Sequence, residues 1–398
     1  MIRRALAGAL RRAASGFRVV SVTGPRQSGK TTLVRQVFPR HAYVSLEVPD
    51  DRRQALDDPR GFLARFPGPV ILDEAQRAPD LFSYIQTIVD EHPRPGRFVL
   101  TGSSNFLLMR TITQSLAGRC AVLHLHPFSR AELEGRAALD LLTLGRSPVR
   151  DARKPRAALD EVLFRGGYPP VQGRRIEPRR WFQSYVETYV ERDVRQLLRV
   201  GDLDTFERFL RLAAARSGQL LNLSSLAADA GITHPTARAW ISILQTSFLV
   251  LLMRPYFRNV GKRMTKSPKL YWLDSGLLCY LLGIRSPAEI AGHPLRGAIF
   301  ESFVVSELVK AFTHRGEIAP LAFWRDRTGK EIDVLVESAR EPVTIEIKAG
   351  RTMAADALAN LQYWRSMRGE AAGRAALIYG GDRGFVHLGV TVLPWWRI

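Results

Sequence analysis

The segment Gly24-Pro25-Arg26-Gln27-Ser28-Gly29-Lys30-Thr31 has the spacing G-x-x-x-x-G-K-[ST] and lies between an apolar run, FRVVSVT, and a helical stretch, TTLVRQVF. Glycines at both ends let successive backbone N–H groups converge on one anion, and the helix that follows adds positive potential at the same point. The chemistry expected of the stretch Gly24 to Thr32 is capture of nucleotide phosphates, with Lys30 reaching the β- and γ-phosphates and Thr31 giving a hydroxyl to Mg²⁺. A second apolar run, Val70-Ile71-Leu72, ends in two carboxylates. Asp73 at the carboxyl edge of such a strand would orient the Mg²⁺ water shell, and Glu74 would polarise the attacking water. The run FVLTGSSN ends in Ser103, Ser104 and Asn105, any of which could sense the γ-phosphate by hydrogen bond. Arg119, in SLAGRC, is either a transition-state charge stabiliser acting in its own or a neighbouring subunit, or a solvated surface arginine.

A different constellation stands near the other end. Glu301 falls on the helical stretch GAIFESFVVSEL, Asp333 in the strand EIDVLVE, and Glu346 and Lys348 in the strand TIEIKAG. Residues two apart on a strand share a face, so Glu346 and Lys348 project together toward Asp333 on an adjacent strand. Glu301, Asp333 and Glu346 can hold Mg²⁺, while Lys348 orients a water or stabilises a pentavalent phosphate, which is metal-dependent phosphodiester chemistry. The same charges also read as a salt-bridge network in a scaffold. Of 58 basic residues only 8 are Lys, and two of those, Lys30 and Lys348, sit where a compact ammonium is preferred over a planar fork. His124 and His126 alternate in LHLHP without a third ligand nearby and read as strand-end residues.

Positioning these groups requires particular elements. From Phe17 to about Pro127 short apolar strands alternate with helical stretches, which implies an α/β domain with a mostly parallel sheet covered on both faces. In the opening segment Ile2, Leu6, Ala9, Leu10 and Ala13 recur at helical spacing, so a packed helix is expected before the first strand. RSPVRDARKPR reads as a linker, and residues 181 to 290 read as helical. Within them, Ser224 can cap a short helix, Gly231 makes a turn, and Thr233 can cap a second helix with Ala237, Trp240, Ile241 and Leu244 on one side. This is helix-turn-helix spacing, and a wing would follow. Between Ala230 and Leu273 stand Arg238, Arg254, Arg258, Lys262, Arg263, Lys266 and Lys269 with no acid among them, a stripe suited either to nucleic-acid phosphates or to a lid or protein contact. The acid-rich VETYVERDV, with Glu187, Glu191, Arg192 and Asp193, reads as a solvated helix face. The tail returns to mixed α/β, with strands FWRD, EIDVLVE and VTIEIKA. The expected organisation is therefore residues 1–150, a P-loop α/β domain; 151–290, a helical domain with a winged helix-turn-helix; and 291–398, a mixed α/β domain.

The composition agrees with this. With 398 residues, 46% hydrophobic and 24% charged, the chain can bury a core in each domain, which excludes a disordered or fibrous protein. A formal charge of +20 favours polyanionic partners, although a general preference for Arg accounts for part of it. Cys120 and Cys279 are too far apart for a disulfide framework or a Cys-based metal site, which fits a reducing cytoplasm. The longest greasy stretch, Trp240 to Met253, is interrupted by polar residues and shorter than a membrane span, so no membrane segment is expected.

Taken together, GPRQSGKTT, VILDEAQ, LTGSSN followed by SLAGR, HPFSRAEL, YVERDV, LYWLDSGLLCYLLG and GAIFESFVVSEL resemble the AAA-type predicted ATPases of bacteria and archaea that carry a C-terminal domain of unknown function. The likeness extends over nearly the whole chain. It implies ATP and Mg²⁺ at the first site, together with ring or dimer assembly, and names no substrate. The tail resembles the PD-(D/E)xK nuclease superfamily and its restriction-endonuclease-like fold, with Ile332-Asp333 in place of Pro-Asp and with Gln362 in a following helix where related resolvases often carry Gln. Two functions follow: an ATP-dependent, metal-dependent cut in nucleic acid, DNA before RNA, or an ATP-dependent switch whose tail binds nucleic acid or a partner protein.

Overall fold

The computed structural model describes residues 2–102, 115–141, 144, 154–155, 157–173, 176–190, 203–256, 266–338 and 341–398. Ser103, Ser104, Asn105, Glu191, Arg192, Asp193, Arg258, Lys262, Arg263 and the expected boundary near residue 150 lie outside the described residues. The chain divides into two compact units, one built from Met1–Phe128, Thr246–Phe248 and Phe312–Ile318, the other from Ser129–Gln245, Leu249–Ala311 and Ala319–Ile398.

In the first unit, five short β-branched and apolar runs form β1 (Val19–Thr23), β2 (Ala42–Ser45), β3 (Val70–Asp73), β4 (Phe98–Gly102) and β5 (Cys120–His124). They pair in parallel in the order β2-β3-β4-β1-β5. The two-residue period of a strand sends alternate side chains to opposite faces. Val20, Val22, Ile71 and Val99 pack with Leu6, Leu10, Leu33 and Val34 on one face. Val19, Val70, Leu72 and Leu100 pack with Phe62, Phe82 and Ile85 on the other. A sheet buried on both sides in this way is what parallel pairing demands. The opening helix α1 spans Leu6–Gly16 and buries Leu6, Ala9, Leu10 and Ala14; Ala13 is half-buried and Ile2 precedes the helix.

The second unit begins with the helix Arg130–Glu134, closed by a capping box between Ser129 and Glu132. The helix Pro178–Tyr185 continues into one π-helical turn, Val186–Val190, on which Glu187 is exposed. The helix Leu203–Ala215 packs Phe206 and Phe209 edge-on against Trp240 of the helix His234–Thr246, with ring centroids 5.0 Å apart in each pair. The helix Leu223–Ala230 stops at Gly231, whose φ of 70° ends it in the left-handed region. Its cap is Asn222 rather than Ser224: the Asn222 Oδ1 accepts from the Ser225 N–H at 3.0 Å. Thr233 does cap the next helix, accepting from the Thr236 N–H at 3.3 Å. Asn222→Ala is expected to cost about 1 kcal/mol in chemical denaturation, the usual worth of such a cap, whereas Ser224→Ala should cost much less.

An antiparallel pair follows, β6 (Val250–Met253) with β7 (Lys269–Trp272). The tail then places the helix Arg296–Thr313 before β8 (Leu321–Arg325), β9 (Glu331–Val336) and β10 (Val343–Lys348). After the helix Ala359–Arg368 come β11 (Arg374–Tyr379), β12 (Phe385–His387) and β13 (Val390–Pro394), three strands absent from the sequence reading. The sheet order is β12-β13-β11-β10-β9-β8, with β8, β9 and β10 antiparallel and β10, β11 and β13 parallel. One face of it packs Ile332, Leu335 and Leu377 against Leu361 and Trp364 of the helix. Among the described residues no helix is long and apolar enough to cross a membrane, and both cysteines are free.

Candidate functional site

The phosphate-loop motif leaves the carboxyl end of β1 and opens the helix α2 (Lys30–Val37). Its backbone is held in conformations that a chain adopts only when the surroundings require it. Gly29 has φ 91° and Gln27 has φ 61°, the latter in the left-handed region that side chains disfavour. A Cβ on Gly24 would stand 2.1 Å from the Leu125 carbonyl oxygen, so only glycine lets the loop pass β5. Gly24→Ala must therefore displace the loop. The expected outcome is at least a tenfold weaker affinity for a fluorescent ATP analogue, about 1.4 kcal/mol, with circular dichroism showing the fold retained.

Within the loop, Lys30 is buried and donates from Nζ to the carbonyls of Gly24 at 3.0 Å and Pro25 at 2.9 Å. The Thr31 hydroxyl donates to both carboxylate oxygens of Asp73, at 3.0 and 2.9 Å. A hydroxyl on the helix and a carboxylate on the strand are the hard oxygen donors that Mg²⁺ takes, so this pair fits the ion. Thr32 is exposed on the first turn of α2. Glu74, adopting φ 55° at the end of β3, donates its N–H to Thr101 Oγ1 at 3.3 Å and accepts from Gln76 Nε2 at 2.5 Å.

Two partners of Asp73 were not foreseen. Thr101, on β4, donates to Asp73 Oδ1, and Tyr43, on β2, donates to Asp73 Oδ2 at 2.9 Å. Both follow from strand order: β2 and β4 flank β3, and the register sets Ser45 beside Asp73 on one side. Burial and the charge of Asp73 push the Tyr43 phenol up to about 12, so it remains a donor at neutral pH.

Arg119 requires a correction. It immediately precedes β5, which runs parallel to β1, so it lies beside Arg18 at the end of the sheet opposite the phosphate loop. Its guanidinium forms a bidentate pair with Asp90 at 2.6 and 2.7 Å, which holds the Asp90 carboxyl below its usual range. Five strand residues at about 3.3 Å each separate it from the nucleotide loop of its own chain, beyond the reach of a side chain. His124 closes β5, with its Nδ1 2.8 Å from the Thr23 hydroxyl.

In the second unit, β9 and β10 run antiparallel with Val334 opposite Ile345, which brings Asp333 and Glu346 side by side one step further along. The Asp333 Oδ2 accepts from the Ile347 N–H at 2.8 Å. Lys348 Nζ donates to Glu346 Oε1 at 2.8 Å, and Asn360 Nδ2 donates to the same oxygen at 3.3 Å. Glu346 Oε2 is buried with no hydrogen-bond partner, an orphaned acceptor of the kind a cation would satisfy. Burial, with Glu346 and Glu301 close by, pushes the Asp333 carboxyl well above the ordinary carboxylate range. Burial raises Glu346 as well, against the pull of Lys348. Lys348 is held above its usual range because Glu346, Asp333 and Glu301 outweigh its own desolvation.

Glu301 is engaged elsewhere. It accepts from the Tyr271 hydroxyl at 2.6 Å and pairs with Lys269 at 3.5 Å, and Lys269 also pairs with Glu331. Lys269, expected in an exposed basic stripe, is thus buried among acids, while Arg238, Arg254 and Lys266 are exposed. The expected metal group of Glu301, Asp333 and Glu346 is corrected accordingly: among the described residues no three acids, histidines or cysteines stand together as a ligand set. Gln362 Nε2 donates to the Leu388 carbonyl at 3.4 Å, and it is Asn360, two residues earlier, that donates to Glu346.

Comparison with known proteins adds the following. Residues 16–134 match the profile of a family described as an AAA domain. Residues 156–288 and 296–398 match two domains of unknown function, DUF8612 and DUF4143. Over 392 residues the chain is 34% identical to an uncharacterized protein of Mycobacterium tuberculosis and to one of Mycobacterium bovis, covering 96% of this chain and 81% of each relative. Among solved structures it is similar to a Walker-type ATPase of Pyrococcus abyssi, at 15% identity and a TM-score of 0.45, covering 69% of this chain and 94% of that one. It is also similar to the Thermotoga maritima RuvB Holliday junction branch migration motor, at 19% identity and a TM-score of 0.29, covering 66% and 92%.

Proposed function

Because the chain belongs to the same family as these mycobacterial proteins and carries an AAA-type P-loop ATPase domain, we propose that it binds ATP with Mg²⁺ and hydrolyses it to control a nucleic-acid-processing tail. The observation that carries the ATPase reading is the Thr31 hydroxyl 2.9 and 3.0 Å from the two oxygens of Asp73, at the mouth of a loop closed by a left-handed Gly29. In that arrangement the backbone N–H groups of the loop would bind the phosphates, Lys30 would reach the β- and γ-phosphates from its place inside the loop, and Thr31 and Asp73 would hold Mg²⁺. A bound Mg²⁺ would supply neutralisation of phosphate charge there. Thr101 and Tyr43 aim Asp73 by hydrogen bonds, and Glu74 polarises the attacking water.

For the tail the proposal is metal-dependent cleavage of nucleic acid, DNA before RNA, with Asp333, Glu346 and Lys348 as catalysts. Support comes from the adjacency of Asp333 and Glu346, the Lys348 ammonium at 2.8 Å, and the orphaned Glu346 Oε2. The helices Leu223–Ala230 and His234–Thr246 with the β6–β7 ribbon support a winged helix, whose exposed Arg238, Arg254 and Lys266 would meet phosphates. A second reading, an ATP-dependent switch with a non-cleaving tail, is favoured by Glu301 being already bound to Tyr271 and Lys269.

Incubation with Mg²⁺ or Mn²⁺, with and without ATP, on linear, supercoiled, branched and single-stranded nucleic acids separates the two. Cleavage supports the first. Intact nucleic acid with continued ATP turnover supports the second, and failure to turn over ATP under any of these conditions overturns both.

A further inference from the structure

The phosphate loop is anchored by a residue far from its motif. Arg4, just ahead of α1, is buried at 6% exposure. Its Nη1 donates to the Ser28 carbonyl at 2.7 Å and its Nη2 to the His126 carbonyl at 2.6 Å, while its guanidinium carbon lies 4.6 Å from the centre of the Phe128 ring. Ser28 belongs to the loop, and His126 lies two residues beyond β5. Because a peptide unit is planar and trans, the carbonyl of one residue and the N–H of the next point in opposite directions. Holding the Ser28 carbonyl toward Arg4 therefore turns the Gly29 N–H away from Arg4, toward the side on which the loop meets an anion. The loop needs such a hold, since Gln27 sits at φ 61° beside it.

We propose that Arg4 is a positioning residue of the nucleotide site, clamping Ser28 to the exit of β5 so that the N–H nest is formed before ATP arrives. The inference rests on the ATPase reading above. Arginine suits the task because its planar fork reaches two carbonyls at once while its face stacks on Phe128; a lysine ammonium is a single point of charge.

The test titrates the full chain, Arg4→Ala and Arg4→Lys with a fluorescent ATP analogue and Mg²⁺, and follows steady-state hydrolysis and thermal melting on the same samples. The expected result is a Kd at least about tenfold higher in both variants, of the order of one charge-assisted hydrogen bond. KM for ATP should rise by more than kcat falls. Arg4→Lys, which keeps the charge and the stem, serves where Arg4→Ala does not fold. A purely structural Arg4 would lower the melting temperature yet leave the Kd of the folded variants within twofold of wild type, and that result overturns the proposal. Absence of binding by the wild type overturns the ATPase reading as well, whereas binding by wild type and variants alike overturns this inference only.

Discussion

Lys30→Ala is expected to reduce ATP turnover at least about 100-fold, the usual loss when a preorganised donor to transition-state charge is removed. The ammonium is buried inside the loop and held by the Gly24 and Pro25 carbonyls at 3.0 and 2.9 Å, so it is in place before any phosphate arrives. Alanine removes both the charge and the donor that bridges those two loop carbonyls from α2, and Arg35 on the same helix stacks instead on Tyr43, with its guanidinium carbon 4.6 Å from the ring centre. Glu74→Gln is the informative companion. It leaves Lys30, Thr31 and Asp73 untouched, so it should bind the ATP analogue with near wild-type affinity and still lose turnover. A coupled assay for phosphate release with all three proteins checks this. Lys30→Ala hydrolysing ATP within threefold of wild type would remove the ATPase reading.

What could be read from the sequence depended on how local the information was. The phosphate loop lies within eight consecutive residues, so its chemistry was legible at once. Asp73 was legible too, because an apolar run ending in acid marks a strand end. Its partners were not. Tyr43 and Thr101 meet Asp73 only because β2 and β4 flank β3, and nothing in the local pattern of any one strand states its neighbours. A role for Arg119 at the nucleotide loop of its own chain failed for a related reason: being close in sequence to a strand says nothing about which edge of the sheet it occupies, and the parallel direction of β5 puts it at the far edge. In the tail, the two-residue period correctly joined Glu346 to Lys348. The period could not show that Lys269 and Tyr271, both on β7, would take up Glu301, because that contact spans about thirty residues and two elements. The basic run around Lys269 reads as a stripe for phosphates or for a lid or protein contact, yet β7 is buried along its whole length and carries the ammonium into the acids. Asn222 displaced Ser224 as a cap by two residues, an ambiguity inherent in a run of polar residues that can all accept from a backbone N–H.

Lys348→Ala carries the second large effect, on nucleic acid rather than ATP. If the tail cleaves, removing the ammonium should reduce the rate at least about 100-fold while leaving ATP turnover within twofold of wild type, since Lys348 belongs to the second unit and the phosphate loop to the first. The electrostatics give the reason for so large a loss. Burial already makes Asp333 and Glu346 poor at staying ionised, and Lys348 is a cation that favours the charged form of both. Taking it away leaves two crowded carboxyls that hold a proton more tightly, and a protonated carboxyl is a poor ligand for Mg²⁺. Raising Mn²⁺ should therefore recover part of the activity in Lys348→Ala, and Asp333→Asn, which removes a ligand and not merely its charge balance, should show no such recovery. Isothermal titration with Mn²⁺ in a Lys30→Ala background, without nucleotide, reads the same effect without cleavage. Equal Mn²⁺ affinity in Lys30→Ala alone and in Lys30→Ala with Lys348→Ala would show that the lysine does not govern a cation there, and the tail would then be a binding module.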